Sequence, residues 1–196
     1  MQAYDQRYED ILDCAESLFA EQGFHATSMR DIARAACISV AGLYYYLPSK
    51  QHALSFVCER IFDRLEAGTA EGARLTDPHE RLAAFVRGHL RYLLTNNRSY
   101  RVLLHDMQAL DRESSSGARV RRRRYFQSLV ELLAALEPHA NGSARVAAGA
   151  LFGMLNWAPT WYREETDGDV EATAERLTTL FLRGFRSGAL VAQASS

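Results

Sequence analysis

Lysine is nearly absent from this chain: Lys50 is the only one in 196 residues, and arginine carries the rest of the positive charge. With 24 acidic side chains against 23 basic ones, the formal net charge is −1. That balance excludes a protein that holds polyanions through a broad basic surface. The first fifty residues are more acidic still. Arg7, Arg30, Arg34 and Lys50 stand against Asp5, Glu9, Asp10, Asp13, Glu16, Glu21 and Asp31, which is 4 − 7 = −3. Any contact with a polyanion must be concentrated on one face, with helix N-termini contributing.

Other scarcities narrow the class. There are four prolines and no alternating strand pattern, so the chain reads as all-α. The three cysteines, Cys14, Cys37 and Cys58, are odd in number and lack CxxC spacing, as expected for reduced cytosolic thiols. Cys37 has two readings, a packing thiol or a redox switch. No run of about 18 apolar residues occurs, and the N-terminus MQAYDQRYED is polar and acidic, unlike a signal peptide. A cytoplasmic protein with no membrane partner is expected. No GxSxG, HExxH or P-loop is present, and the six histidines (25, 52, 79, 89, 105, 139) form no i, i+3 or i, i+4 pair. Neither an enzyme, a metal site nor a cofactor is expected. The 47% hydrophobic content supports a sizeable helical core.

Residues 27–50, TSMRDIARAACISVAGLYYYLPSK, carry the strongest pattern. Ser28 and Asp31 have capping-box spacing. A first helix over 29–36 would bury Met29, Ile32, Ala33 and Ala36. Cys37-Ile38 would be a turn, and Ser39 would cap a second helix over 40–46, stopped by Pro48. Two short helices joined by a 3–4-residue turn form a helix-turn-helix, whose second helix lies in the major groove. Val40, Ala41 and Gly42 are small enough to approach base edges. Tyr44, Tyr45 and Tyr46 cannot all be buried on so short a helix. The competing reading is a generic helical hairpin in an α-bundle.

The run from Ile11 to Lys50, ILDCAESLFAEQGFHATSMRDIARAACISVAGLYYYLPSK, closely resembles the N-terminal domain of tetracycline-repressor-type (TetR-family) transcriptional regulators. Cys37 stands where the family usually has a turn glycine, Leu47 where it has phenylalanine, and Ala53 where it has leucine. Glycine suits such a turn because it tolerates positive φ, so Cys37 implies slight strain or a shifted turn. The resemblance implies a homodimeric repressor that binds double-stranded, palindromic operator DNA. Release would follow entry of a small molecule into a C-terminal pocket.

The rest of the chain reads as further helices. A first one over 5–22 ends at Gly23 and supports the motif. After Pro48 a long helix runs to about 73, the connector between domains in the family. Helices follow over 78–95, 99–110 (Val102, Leu103, Leu104 and Met107 inward), from about 118 to the stop at Pro138, 144–162 with a kink at Pro159, and 170–186 with a frayed tail. Polar loops are expected at 111–117 and 139–143. His89 falls on an apolar face, where a core histidine competes with a ligand contact. Four successive arginines, Arg121 to Arg124, cannot form one stripe. They read as a solvated helix start, a nucleic-acid patch, or the rim of an anion site suited to the phosphates of coenzyme A. The pattern LFGMLNW…WYR resembles the effector domain of a TetR branch that responds to acyl-CoA thioesters and controls lipid, steroid or aromatic-acid catabolism.

The expected organisation is all-α, with a three-helix helix-turn-helix DNA-binding domain at 1–50 and a ligand-binding and dimerisation domain at 51–190. Candidate DNA-binding residues are Thr27, Ser28, Arg30, Ser39, Val40, Ala41, Gly42, Tyr44, Tyr45, Tyr46 and Lys50. Candidate effector-binding residues are Phe85, His89, Tyr92, Met107, Arg122, Phe126, Phe152, Asn156, Trp157 and Trp161. An amphipathic acyl-CoA is the expected effector. The alternatives are an aromatic drug that induces an efflux gene, and a helical scaffold dimer that does not bind DNA.

Overall fold

A computed structural model describes residues 2–111, 116–136 and 143–194. Most of the expected loops at 111–117 and 139–143, and the stop at Pro138, lie outside the described residues. Ten α-helices are present there: α1 Gln2–Gln22, α2 Met29–Ala35, α3 Val40–Tyr46, α4 Lys50–Thr69, α5 Pro78–Thr95, α6 Asn97–Arg101, α7 Ser116–Leu136, α8 Ser143–Trp161, α9 Glu164–Asp167 and α10 Val170–Ala194. Among the described residues there is no strand, and no helix is long and apolar enough to cross a membrane.

Two compact units share these helices. One comprises Met1–Asp63 and Asn96–Arg122, the other Arg64–Thr95 and Arg123–Ser196. The division therefore falls inside α4 and α7, and it differs from a break in chain order at 50/51.

In the first unit, α1 buries Ile11, Leu12, Ala15 and Phe19, the residues that recur at helical spacing. Gly23 ends it with φ +83°, and Phe24 folds back so that its ring lies 5.7 Å from that of Phe19. From α4, Arg60 reaches three carboxylates of α1: Glu9 at 3.1 Å, Asp13 at 2.9 Å and Glu16 at 2.6 Å. Glu16 is itself buried, and its second oxygen accepts from Ser99 Oγ at 2.6 Å. Thus one buried ion pair ties α1, α4 and α6 together.

The expected helix over 99–110 is broken in character. After α6 the chain widens into a π-helical turn, Val102–Asp106, and then tightens into a 3₁₀ turn, Met107–Ala109. Val102 is buried, whereas Leu103, Leu104 and Met107 are only half-buried. The inward polar residue is Asp106, and its carboxylate accepts the Phe24 N–H at 3.0 Å. The looser i→i+5 bonding changes the rotation per residue, so an α-helical wheel misplaces this segment.

In the second unit, α5 is central and packs against α8, α10 and the 3₁₀ turn Ala70–Arg74 that follows α4. It buries Leu82, Phe85, Val86, His89, Leu90 and Leu93. Helix α8 continues through Pro159 to Trp161, and α10 runs to 194, past the expected end near 186. The crossing of α4 and α5 is a backbone-to-backbone contact. A Cβ on Gly88 would meet the Gly68 carbonyl oxygen at 2.3 Å. Replacement of Gly88 by alanine therefore forces the two helices apart. Gly88→Ala is expected to lower the unfolding free energy by about 1–3 kcal/mol, the overpacking range, in urea titrations followed by circular dichroism. An unchanged midpoint would mean the helices separate freely.

Candidate functional site

The helix-turn-helix forms locally as its sequence dictates. The Ser28 hydroxyl accepts from the Asp31 N–H at 3.2 Å, and an Asp31 carboxylate oxygen accepts from the Ser28 N–H at 3.0 Å. The Ser28 hydroxyl, donating to an Asp31 carboxylate oxygen, and then the Ser28 N–H hold the Asp31 carboxyl below its usual range. The Ser39 hydroxyl accepts from the Gly42 N–H at 3.0 Å and opens α3. Leu43 and Leu47 are fully buried and fix the rotation of α3. Between the helices, Cys37 takes φ +53°, the left-handed region that favours glycine. The turn is therefore strained and not shifted. Arg7 donates to the carbonyls of Ala36 at 2.9 Å and Cys37 at 3.4 Å, capping the end of α2 from α1.

One surface of this motif is open. Ser28, Arg30, Ser39, Val40 and Ala41 are exposed, Gly42 and Tyr46 half-buried, and Tyr44 and Tyr45 are 50% and 74% exposed. Two candidates point elsewhere. Thr27 is 1% exposed; its hydroxyl donates to the Gly23 carbonyl at 2.9 Å and accepts from Gln22 at 3.1 Å. It anchors the approach to α2 and has no free hydroxyl for a phosphate. Lys50 lies with its ammonium 4.3 Å from the Phe24 ring centroid and donates to the Phe24 carbonyl at 2.8 Å. It acts inside the unit.

The aromatic candidates of the second unit are only partly brought together. Phe85, His89, Phe126 and Phe152 meet around Tyr125, with ring centroids 5.2 to 6.4 Å apart. Phe85, His89 and Tyr125 are buried there as core, while Phe152 and, against it, Phe126 are half-buried. His89 is 2% exposed and takes the core role: one ring nitrogen lies 2.9 Å from the Tyr125 hydroxyl, the other 3.2 Å from Asn156 Oδ1. Burial lowers its pKa to about 4, opposed in part by Asn156, so the ring is neutral at pH 7. Burial pushes the Tyr125 phenol far up, and it stays protonated. Tyr125 is absent from the sequence-based candidates because it follows directly on the arginine run, which masks the helical phase.

Other candidates lie outside that cluster. Trp157 and Trp161 are 60% and 41% exposed on α8, and Tyr92 is half-buried. Met107 and Arg122 belong to the first unit. A cleft of about 310 Å³ lies in the second unit between the end of α4, the 3₁₀ turn, α5 and α7. Glu66, Thr69, Gly72, Arg81, Phe85, Arg124, Ser128, Glu131 and Leu132 line it, so Phe85 alone of the ten candidates reaches it. Arg124 pairs with Glu66, while the Nε of Arg81 is buried without a hydrogen-bond partner. The arginine run divides between structural tasks. Within the first unit Arg121 pairs with Glu59 at 2.9 Å and Asp63 at 2.8 Å; within the second, Arg124 pairs with Glu66.

The neutral His89 makes stability depend on pH. Its folded pKa of about 4 lies below the ordinary 6.5, so this contribution is complete above about pH 6.5 and falls as pH drops towards 4. The full span is about 3 kcal/mol. His89→Gln is expected to be less stable than the parent at pH 7, with the gap narrowing by at least 1 kcal/mol at pH 5. A gap independent of pH in urea titrations would show that His89 does not titrate on unfolding.

The comparisons with known proteins divide the chain in sequence order, unlike the two units. Residues 11–54 match the family model of bacterial regulatory proteins of the tetR family, and residues 75–185 that of tetracyclin repressor-like C-terminal domains. The HTH-type transcriptional activator FasR of Mycolicibacterium smegmatis is 24% identical over 175 residues, spanning 87% of this chain and 79% of FasR. The HTH-type transcriptional repressor KstR of the same organism is 34% identical over 97 residues, about half of each chain (49% and 47%). A TetR-family regulator from Bordetella parapertussis superposes with a TM-score of 0.77 at 30% identity, covering 89% of this chain and 93% of that one. AibR, solved with isovaleryl coenzyme A and operator DNA, gives 0.77 at 25% identity, with 89% and 97% covered. The open face of a capped helix-turn-helix and the matches on both halves of the chain lead to one assignment: this protein belongs to the TetR family, as a DNA-binding transcriptional regulator and not an enzyme.

Proposed function

We propose that the protein is a homodimeric repressor that binds a palindromic operator and leaves it when an amphipathic anion of the acyl-CoA type enters the second unit. The observation that carries the DNA-binding part is the open α2–α3 face. Arg30 there makes no side-chain bond among the described residues. Its guanidinium and the Val40–Gly42 segment would meet base edges, with Ser39, Tyr44, Tyr45 and Tyr46 for phosphates, whereas the Ser28 hydroxyl already donates to Asp31 and serves the cap. Lys50 and Thr27 support that face from within.

Dimerisation is assigned to α8 and α10. Val146, Trp157, Trp161 and Leu180 are exposed there, the last 63% so, and Gly149, Gly153 and Gly184 have open space beside them. Exposed apolar groups in company with small residues suit an isologous, close helix contact. The effector reading draws on the cleft, whose 310 Å³ is at the lower end for a small-molecule site. It admits an acyl group with a polar head left outside. The unpartnered Arg81 Nε offers a donor to an anionic or carbonyl oxygen. Helix α4 is continuous through the division between the units, so occupancy of the cleft would tilt α4 and change the spacing of two recognition helices. Half-sites are read about 34–36 Å apart, so a small change in spacing prevents both from docking. The second reading, an aromatic cation, is favoured by Glu131 in the cleft wall.

Fluorescence anisotropy of a labelled fragment from the protein's own upstream region, challenged with acyl-CoAs and separately with aromatic cations, tests the proposal. Binding that beats scrambled competitor and is reversed by an acyl-CoA supports it. Reversal only by aromatic cations moves the effector to the second reading, and no preference over scrambled DNA in this and in a random-sequence selection sinks the repressor. In the same assay Arg30→Ala is expected to cost about 1–3 kcal/mol on the preferred sequence and to relax preference at one position. Uniform weakening on all sequences would reassign Arg30 to the phosphates. Trp157→Asp together with Leu180→Asp is expected to give monomers in light scattering; a persistent dimer would place the interface elsewhere.

A further inference from the structure

The peptide groups of Phe24 are held from both sides by opposite charges. Its N–H donates to the buried carboxylate of Asp106 at 3.0 Å. Its carbonyl accepts from the Lys50 ammonium at 2.8 Å, and the same ammonium reaches the His25 carbonyl at 3.4 Å. The chain needs this support. Gly23, at φ +83°, turns it out of α1, so the Phe24 N–H has left the helical ladder and requires an outside acceptor. From Phe24 the lead-in to α2 is short and stiff. Only His25, Ala26 and Thr27 intervene before the Ser28 cap, and the Thr27 hydroxyl donates back to Gly23. Whatever fixes Phe24 fixes where α2 begins, and α3 follows from α2 through the strained turn at Cys37.

Asp106 is unusual in its own setting. It is the last residue of the π-helical turn Val102–Asp106, a geometry that is rare and concentrated at functional sites. It is 82 residues from Phe24 in sequence, and its bond to that N–H is buried. No helical-wheel argument predicts an inward aspartate at that position, and packing alone does not call for one.

We propose that Asp106 is a positioning residue for DNA reading: the π-helical turn, through Asp106 on the Phe24 N–H and against Lys50 on the Phe24 carbonyl, sets the orientation of α2 and α3. A one-residue change in the register of that turn withdraws the carboxylate and releases the lead-in, so the turn controls the reading helices without touching DNA.

The experiment uses the full chain and a duplex selected by the parent protein from a random-sequence pool, with a scrambled duplex beside it. Asp106→Ala leaves the Phe24 N–H without an acceptor; Asp106→Asn keeps an acceptor oxygen and guards against a variant that fails to fold. Asp106→Ala is expected to bind the selected duplex about tenfold more weakly, as for loss of a charge-assisted buried hydrogen bond. Binding to the scrambled duplex should stay within about twofold, with an unchanged salt slope, because no phosphate contact is removed. Amide exchange at Phe24 should rise at least about tenfold, and Asp106→Asn should restore most of both properties. Unchanged affinity of Asp106→Ala for the selected duplex together with faster exchange overturns the positioning role. Equal weakening on both duplexes with a lowered unfolding midpoint reduces Asp106 to a structural residue. If the parent selects no duplex at all, the regulator assignment fails first and the proposal falls with it.

Discussion

The buried guanidinium of Arg60 is the interaction on which the DNA-reading unit depends. Burial alone would lower its pKa, and the hydrogen bond and charge of Glu16, with Glu9 and Asp13, outweigh that and raise it. The guanidinium stays charged, and it is the α4 partner of the buried Glu16 carboxylate. A buried ion pair of this kind contributes little net stability over an apolar replacement, but losing one partner strands the other. Its effect is geometric. It dictates how α1 meets α4, and Ser99 on Glu16 extends that dictate to α6. The π-helical turn, Asp106 and Phe24 then follow in sequence, and the helix-turn-helix hangs from the end of that chain of contacts.

Much of the motif is legible in the sequence because it is made locally. The capping box at Ser28 and Asp31, the cap at Ser39 and the stop before Pro48 act over three or four residues, and each appears in the structure as its spacing requires. The fold class is legible for the same reason. Cys37 illustrates a partial reading: its departure from glycine signals strain, and only φ shows that the turn kept its place. Thr27 and Lys50 mark the limit. A threonine beside a cap and a lysine-bearing helix start look like phosphate ligands in one dimension, but Thr27 bonds back to Gly23 and Gln22, and Lys50 is taken up by the Phe24 carbonyl. For Lys50 the deciding partner is a backbone carbonyl 26 residues away, which no side-chain pattern announces.

The second unit was less legible, because its aromatic residues serve core, cleft and surface alike. Phe85, Phe126 and Phe152 share a cluster, but the tryptophans of α8 face outward. Two of the four arginines, Arg121 and Arg124, pair with Glu59, Asp63 and Glu66, acidic residues on α4 that sequence distance concealed, while Arg122 and Arg123 are exposed. Cys58, pushed up to about 12 by burial and by the charges of Asp106, Glu16 and Glu59, is a fully buried packing thiol held in its protonated form near neutral pH.

The central claim is that two copies of the α2–α3 face read one duplex. Hydroxyl-radical footprinting of the protein on its selected duplex tests it most directly. Two symmetric patches of protection with centres one helical turn apart, or a small multiple of it, are the expected result. A single continuous footprint without two-fold symmetry, or protection that ignores sequence, would contradict the claim.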